Sequence, residues 1–119
     1  MMQTSAISDA LTRYLDLASS QMKLTASNMA NADTPGYRTQ GFSFEDEMRH
    51  AMEGTASGTF TPGTQDVDGL VARPDGNNVS LEREGMQLAK SQLAFRTGVE
   101  LLKREYSRVM DAIKADGKA

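Results

Sequence analysis

Residues 81–113 read LEREGMQLAKSQLAFRTGVELLKREYSRVMDAI, and their spacing decides the fold. Leu81, Leu88, Phe95, Leu102 and Val109 recur at every seventh position, and a companion track four residues on holds Gly85, Gln92, Val99, Tyr106 and Ile113. Five positions spaced by seven gather apolar side chains into one stripe along a helix, the seam of a coiled coil. Asn77, Asn78 or Ser80 can cap its start. Glu82 and Glu84 suit the positive first turn, and Lys114 and Lys118 suit the negative end. About 34 residues rising ~1.5 Å each give a rod of roughly 50 Å. So long and thin a rod cannot bury its stripe against one shorter helix, and part of the seam is expected to meet other chains.

A shorter version of the pattern occupies the other end of the chain. From about Ser5 to Ala30, Leu11, Ala18 and Thr25 form one track and Leu15, Met22 and Met29 the other, while Tyr14, Leu17 and Leu24 widen the stripe. Asn28, Asn31, Asp33 and then Thr34-Pro35-Gly36 end this helix near Asn31, because Pro35 disfavours helical backbone at Thr34 and Gly36 admits a turn. Met22, Met29 and Met86 read as seam filler.

Between the two lies a different composition. Residues 41–78 carry seven acids against two bases, with six of the ten glycines and two of the three prolines; residues 1–40 are balanced, and residues 79–119 carry six acids and eight bases. Ser43 with Asp46 three residues on makes a capping box for a short helix, with Phe44, Met48 and Met52 on one face and Gly54 at its end. Residues 54–78 lack periodicity and are expected to be mobile when the chain is alone, with a brief hairpin around Asp75-Gly76. The chain therefore divides into an N-terminal helix and turn (1–40), a short helix with a flexible acidic loop (41–78) and a long C-terminal helix (79–119), together forming one all-α domain.

The 119 residues bound what such a domain can do. A net charge of −3 offers no footprint for nucleic acid, and no apolar run approaches the ~20 residues of a membrane span. The absence of cysteine excludes disulfides, thiol catalysis and Cys-ligated metal. Met1 to Asp9 has neither the basic nor the apolar region of a cleaved secretory signal. His50 is the sole histidine and reads as a solvated surface residue. Asp66-Val67-Asp68-Gly69 opens like a calcium loop but lacks its later ligands, and Glu45-Asp46-Glu47 reads as a solvated charge run. No catalytic, cofactor-binding or metal site is expected. Assembly is the function class these residues favour, with a cytosolic helical adaptor or regulator of partner helices as the alternative.

One string is more specific. Ala26-Ser27-Asn28-Met29-Ala30-Asn31-Ala32-Asp33-Thr34-Pro35-Gly36-Tyr37-Arg38 resembles, position for position, the ASNxANxxTPGY[KR] signature of flagellar basal-body rod and hook axial proteins. The short length, without an inserted globular domain, is similar to the proximal-rod members. Asp75-Gly76-Asn77-Asn78-Val79-Ser80-Leu81-Glu82-Arg83-Glu84, followed by Gln92-Leu93-Ala94-Phe95-Arg96, is similar to the C-terminal pattern of one of them, with Phe95 where Tyr is usual.

The resemblance implies a non-enzymatic subunit of the proximal rod, with its N- and C-terminal helices paired as an antiparallel coiled coil. It implies export by the flagellar type III apparatus without signal cleavage. Homo-oligomeric packing within a mixed helical, torque-transmitting rod in the periplasm follows from it, with other rod subunits and a rod-to-membrane-ring adaptor as neighbours. The seam residues Leu11, Leu15, Ala18, Met22, Met29, Leu81, Leu88, Phe95, Val99, Leu102, Tyr106, Val109 and Ile113 would then face partners as well as each other. Phe44 and Met48 resemble the Phe-x-x-x-hydrophobic element with which early flagellar export substrates dock at the export gate, although any capped amphipathic helix yields such an i, i+4 pair.

Overall fold

In the computed structural model, which describes residues 6–53 and 62–117, three helices and two very short strands make up the chain. They are α1 (Ala6–Ala30), β1 (Gln40–Gly41), α2 (Phe44–Glu53), β2 (Gln65–Asp66) and α3 (Leu81–Gly117). The molecule is a rod of 72 × 26 × 19 Å.

The helix termini follow the local chemistry of the sequence. Ser43 caps α2, its Oγ accepting from Asp46 N–H at 3.3 Å. Of the candidate caps for α3, Ser80 holds the position: its Oγ accepts from Arg83 N–H at 3.2 Å, and its carbonyl accepts from Glu84 N–H at 2.9 Å. After α1, Tyr37 N–H donates to Thr34 O across Pro35 and Gly36 at 3.2 Å, and Gly36 has φ +76°. Proline followed by a positive-φ glycine is a type II turn, which reverses the chain at once.

α1 and α3 pair antiparallel. Leu15 packs at Gly98, while Asn28 hydrogen-bonds Glu84, so an advance of 13 residues on α1 matches a retreat of 14 on α3. On α1, Leu17, Ala18 and Thr25 are fully buried, Leu11, Leu15 and Met22 are half-buried, and Met29 is exposed. On α3 the deepest residues are Glu84, Ser91, Gly98 and Glu105, again seven apart. The apolar track Leu88, Phe95, Leu102 and Val109 lies half-buried beside them, and Leu81 is exposed. The period is the expected one, but the line of closest approach is small and polar. A Cβ on Gly98 would stand 2.7 Å from Leu15 Cδ2 and 3.0 Å from Tyr14 Cδ1, so the missing side chain sets how near the helices come.

The middle of the chain is folded against one end of this pair. β1 and β2 pair antiparallel, Gln40 with Asp66 and Gly41 with Gln65. A tight loop follows, in which Gly76 N–H donates to Arg73 O and Arg73 N–H to Asn77 O, both at 2.8 Å. Of the segment expected to lack regular structure, residues 54–61 lie outside the described residues. Residues 62–78 take the path just given and deliver Asn77, Asn78 and Val79 into the interior.

Candidate functional site

The interior at that end is built from polar side chains, and it joins the two motifs that the sequence singled out. Asn28, in the last turn of α1, is completely buried. Its Nδ2 donates to Gln40 O at 2.9 Å and to Glu84 Oε1 at 2.5 Å. Its Oδ1 accepts from Tyr37 Oη–H at 2.8 Å and from Gln40 N–H at 3.1 Å. Two donors and two acceptor sites are the whole capacity of a side-chain amide, so nothing of Asn28 is left unpaired. Glu84 is equally buried, and its second oxygen accepts from Arg83 Nη1 at 2.6 Å. The burial of these groups is tolerable because each has its partner.

Asn77 and Asn78 close the arrangement from the other motif. Asn77 Nδ2 donates to Asn31 O and to Thr34 O, both at 2.8 Å, adding a second bond to carbonyls that already accept from backbone N–H groups in the turn after α1. Its Oδ1 accepts from Val79 N–H at 2.8 Å. Asn78 Oδ1 accepts from Thr39 N–H at 2.6 Å, Asn78 O accepts from Thr39 Oγ1–H at 3.2 Å, and Asn78 Nδ2 is buried without a partner. Arg73 donates to Ala32 O and to Val79 O. Gly36 N–H donates to Asp75 O at 2.9 Å, and a Cβ on Gly76, at φ +86°, would stand 3.4 Å from Gly36 Cα. Two glycine turns are thus pressed back to back. The result is a clasp that fixes where α3 starts against where α1 ends.

The rod-signature residues divide by face. Asn28 points inward and Tyr37 is half-buried, whereas Ala26, Ser27, Ala30, Thr34, Pro35 and Gly36 lie on the surface. Asn31 ties the turn locally, donating to Ser27 O at 2.8 Å and accepting from Thr34 Oγ1–H at 3.0 Å. The clasp partners Thr39, Gln40, Arg73 and Glu84 carry no hydropathy signal. Only the density of Asn, Asp and Gly at 75–78 marks the segment that meets the signature.

The opposite end has another character. Tyr106, Met110 and Ile113 of α3 are about half exposed. With Leu15 level with Gly98, Ala6 falls level with residue 107, so Met110 and Ile113 extend past the described part of α1. Glu105 is buried there and holds Arg108 through hydrogen bonds of 2.7 and 3.2 Å. These bonds first, and the carboxylate's charge second, raise the guanidinium above its ordinary pKa. On α2, Phe44 meets Tyr14 edge to face with ring centroids 5.3 Å apart. Phe44, Met48 and Met52 line an open groove with Tyr14. No helix in the described residues is long and apolar enough to cross a membrane.

Comparison with known proteins places the chain in a family. Residues 15–38 match the family model described as "Flagella basal body rod protein". The chain is 32% identical over 114 residues to the flagellar basal body rod protein FlgB of Cereibacter sphaeroides (strain ATCC 17029 / ATH 2.4.9), covering 86% of this chain and 89% of that protein. It is 29% identical over 120 residues to FlgB of Yersinia enterocolitica, covering 84% and 88%, and 28% identical over 120 residues to FlgB of Salmonella typhimurium, covering 84% and 87%. Similarity of this extent runs through both helices and the clasp between them, and the chain belongs to the FlgB family of flagellar basal body rod proteins, structural subunits of the rod and not enzymes.

Proposed function

We propose that this rod subunit works in the proximal rod, in the periplasm, where copies of the chain pack with one another and with other rod proteins into the shaft that transmits torque. The observation that carries the reading is the contrast along the helix pair: apart from Asn78 Nδ2, the polar clasp is satisfied within one chain, whereas Met86, Leu93 and Leu101 on one face of α3 and Tyr106, Met110 and Ile113 on another remain exposed. Contiguous exposed apolar patches on a soluble domain mark interaction sites, and Tyr106, Met110 and Ile113 share one face of α3. Packing into a shaft removes it from water, and the clasp keeps each helix pair from sliding under load. The seam residues are read as the assembly surface, a rod-to-membrane-ring adaptor as one neighbour, and Phe44 with Met48 as the element that docks at the flagellar type III export gate before the chain folds.

The test is a pair of substitutions in a swimming strain. Leu102→Asp places a carboxylate in the half-buried track and should abolish rod assembly while secretion stays measurable. Lys103→Asp, on an exposed side chain, should have much less effect. Motility that survives Leu102→Asp would overturn the packing role of α3. For the export element, Phe44→Ala with Met48→Ala should lower secretion while cytoplasmic levels hold or rise. Secretion at the wild-type rate with failure only at incorporation would assign the pair to packing.

A further inference from the structure

Two apolar surfaces stay open on the described residues, and they differ in shape. One is convex: Tyr106, level with the start of α1, and Met110 and Ile113, beyond its described part, form a ridge on one face of α3. The other is a shallow, open groove lined by Tyr14, Phe44, Glu45, Met48, Arg49 and Met52. Within one chain the ridge begins about 12 Å along α3 from Gly98, the level at which α3 meets Tyr14.

Their charges are complementary. α2 has four acids and one base, and that base, Arg49, is bound to Asp46 at 3.2 Å; Glu45 and Glu53 have no ion pair among the described residues. The ridge is flanked on one side by Lys103 and Lys114, which sit about 60–80° around the helix from Tyr106 at the ~100° per residue of an α-helix. Lys114 has no ion pair among the described residues, and Lys103 has only an exposed contact of 3.6 Å with Glu100.

We infer that the ridge at the end of α3 in one copy seats in the groove between α1 and α2 of a second copy, with Lys103 and Lys114 facing Glu45 and Glu53. This rests on the reading that the chain self-associates in the rod, and it names the surfaces. The contact is heterologous, since ridge and groove lie on different parts of each copy, so repetition gives a ring or, where the rotation does not close, an open helical series, and not a two-fold dimer. Three ridge residues bury little area, which makes one contact weak and leaves assembly dependent on neighbours acting together.

Because the chain has no cysteine, the pairing can be read by disulfide capture. Chains carrying Met48→Cys or Met110→Cys, with tags of different size, are co-produced in cells lacking the native gene, and motile cells are oxidised. Disulfide formation requires Cα atoms within about 7 Å, so the mixed dimer should exceed either same-site dimer by about tenfold. Met52→Cys with Ile113→Cys serves as the second pair. Motile cells with no mixed dimer, or an M110C thiol captured on a different rod protein, would overturn the inference. Failure of the wild-type chain to restore motility would instead remove the rod reading beneath it. Should the cysteine chains alone be non-motile, charge reversal decides: Glu45→Lys and Lys114→Glu each reduce swimming, and combining them restores it. A combined variant no better than either single one would overturn the docking.

Discussion

The two ends of the α1–α3 pair solve opposite problems with the same helices. At the clasp, Asn28, Glu84, Asn77 and Thr39 are fully buried, and their hydrogen bonds are made within the chain. At the far end, Tyr106, Met110 and Ile113 are apolar and exposed, and nothing in the described chain covers them. A buried polar network demands matched geometry and so specifies one register, whereas an apolar ridge is tolerant and can wait for a partner. The difference separates two tasks that the proposed assembly asks of a subunit: register fixed within each chain, and cohesion supplied by contacts between chains.

The sharpest way to break the comparison is at its polar hub. Asn28→Ala removes the partner of Gln40 N–H, Gln40 O, Tyr37 Oη and Glu84 Oε1 in one step. Each buried group left unsatisfied costs about 1–3 kcal/mol, so a loss of about 4 kcal/mol is expected, a large share of the roughly 5–15 kcal/mol that holds a domain folded. Asn31→Ala, whose side-chain bonds are exposed, should cost under about 1 kcal/mol by the same measure. Thermal unfolding followed by circular dichroism compares them. Equal effects would mean that the clasp does not hold the pair in register.

Next in size is the midpoint. Gly98→Leu drives a branched side chain into Leu15 and Tyr14, and overpacking of this kind costs about 1–3 kcal/mol. Gly98→Ala is the finer probe. Its Cβ meets the flexible tip of Leu15 at 2.7 Å, a strain opposed by the roughly 1 kcal/mol that alanine gains over glycine in a helix. The net change should fall within about 1 kcal/mol, and a large loss would show that Leu15 cannot move aside.

These sites also mark where sequence reasoning reached and where it stopped. The period of seven was legible in α3, because hydropathy repeats with it. The residues lying deepest were not, because hydropathy selects Leu88, Phe95 and Leu102, while close approach selects small side chains at Ser91 and Gly98. The clasp was legible only as two separate motifs. Asn77 and Asn78 read as loop residues, since polarity alone does not reveal that a carbonyl 46 residues away will accept from one of them. Pro35 and Gly36 were legible as a turn, and Gly36 at φ +76° gives the reason.

The turn supplies the third prediction. Replacing Pro35-Gly36 with Ala-Ala asks an L-residue to adopt the left-handed region and frees the proline-fixed backbone, at a combined cost of about 1–2 kcal/mol. Tyr37, Asp75 and the start of α2 would shift with it. The protein should be secreted but not incorporated, as judged by fractionating periplasm and basal bodies, and normal incorporation would make the turn dispensable.

The smallest effect on folding is expected where the effect on assembly is large. Met110→Ser and Ile113→Ser alter side chains about half exposed, on a part of α3 with no described neighbour from α1. Substitutions at such positions ordinarily move stability by no more than about 0.5 kcal/mol, so the unfolding curve of the isolated chain should barely shift. Within the rod the same side chains would be buried, and each lost apolar group would weaken every contact along the series. The double variant should therefore unfold like wild type yet fail to restore swimming, whereas Asn28→Ala fails at both. If Met110→Ser with Ile113→Ser destabilised the isolated chain as much as Asn28→Ala, the far end would belong to the subunit's own core. The division between a register-setting end and a cohesive end would then be lost.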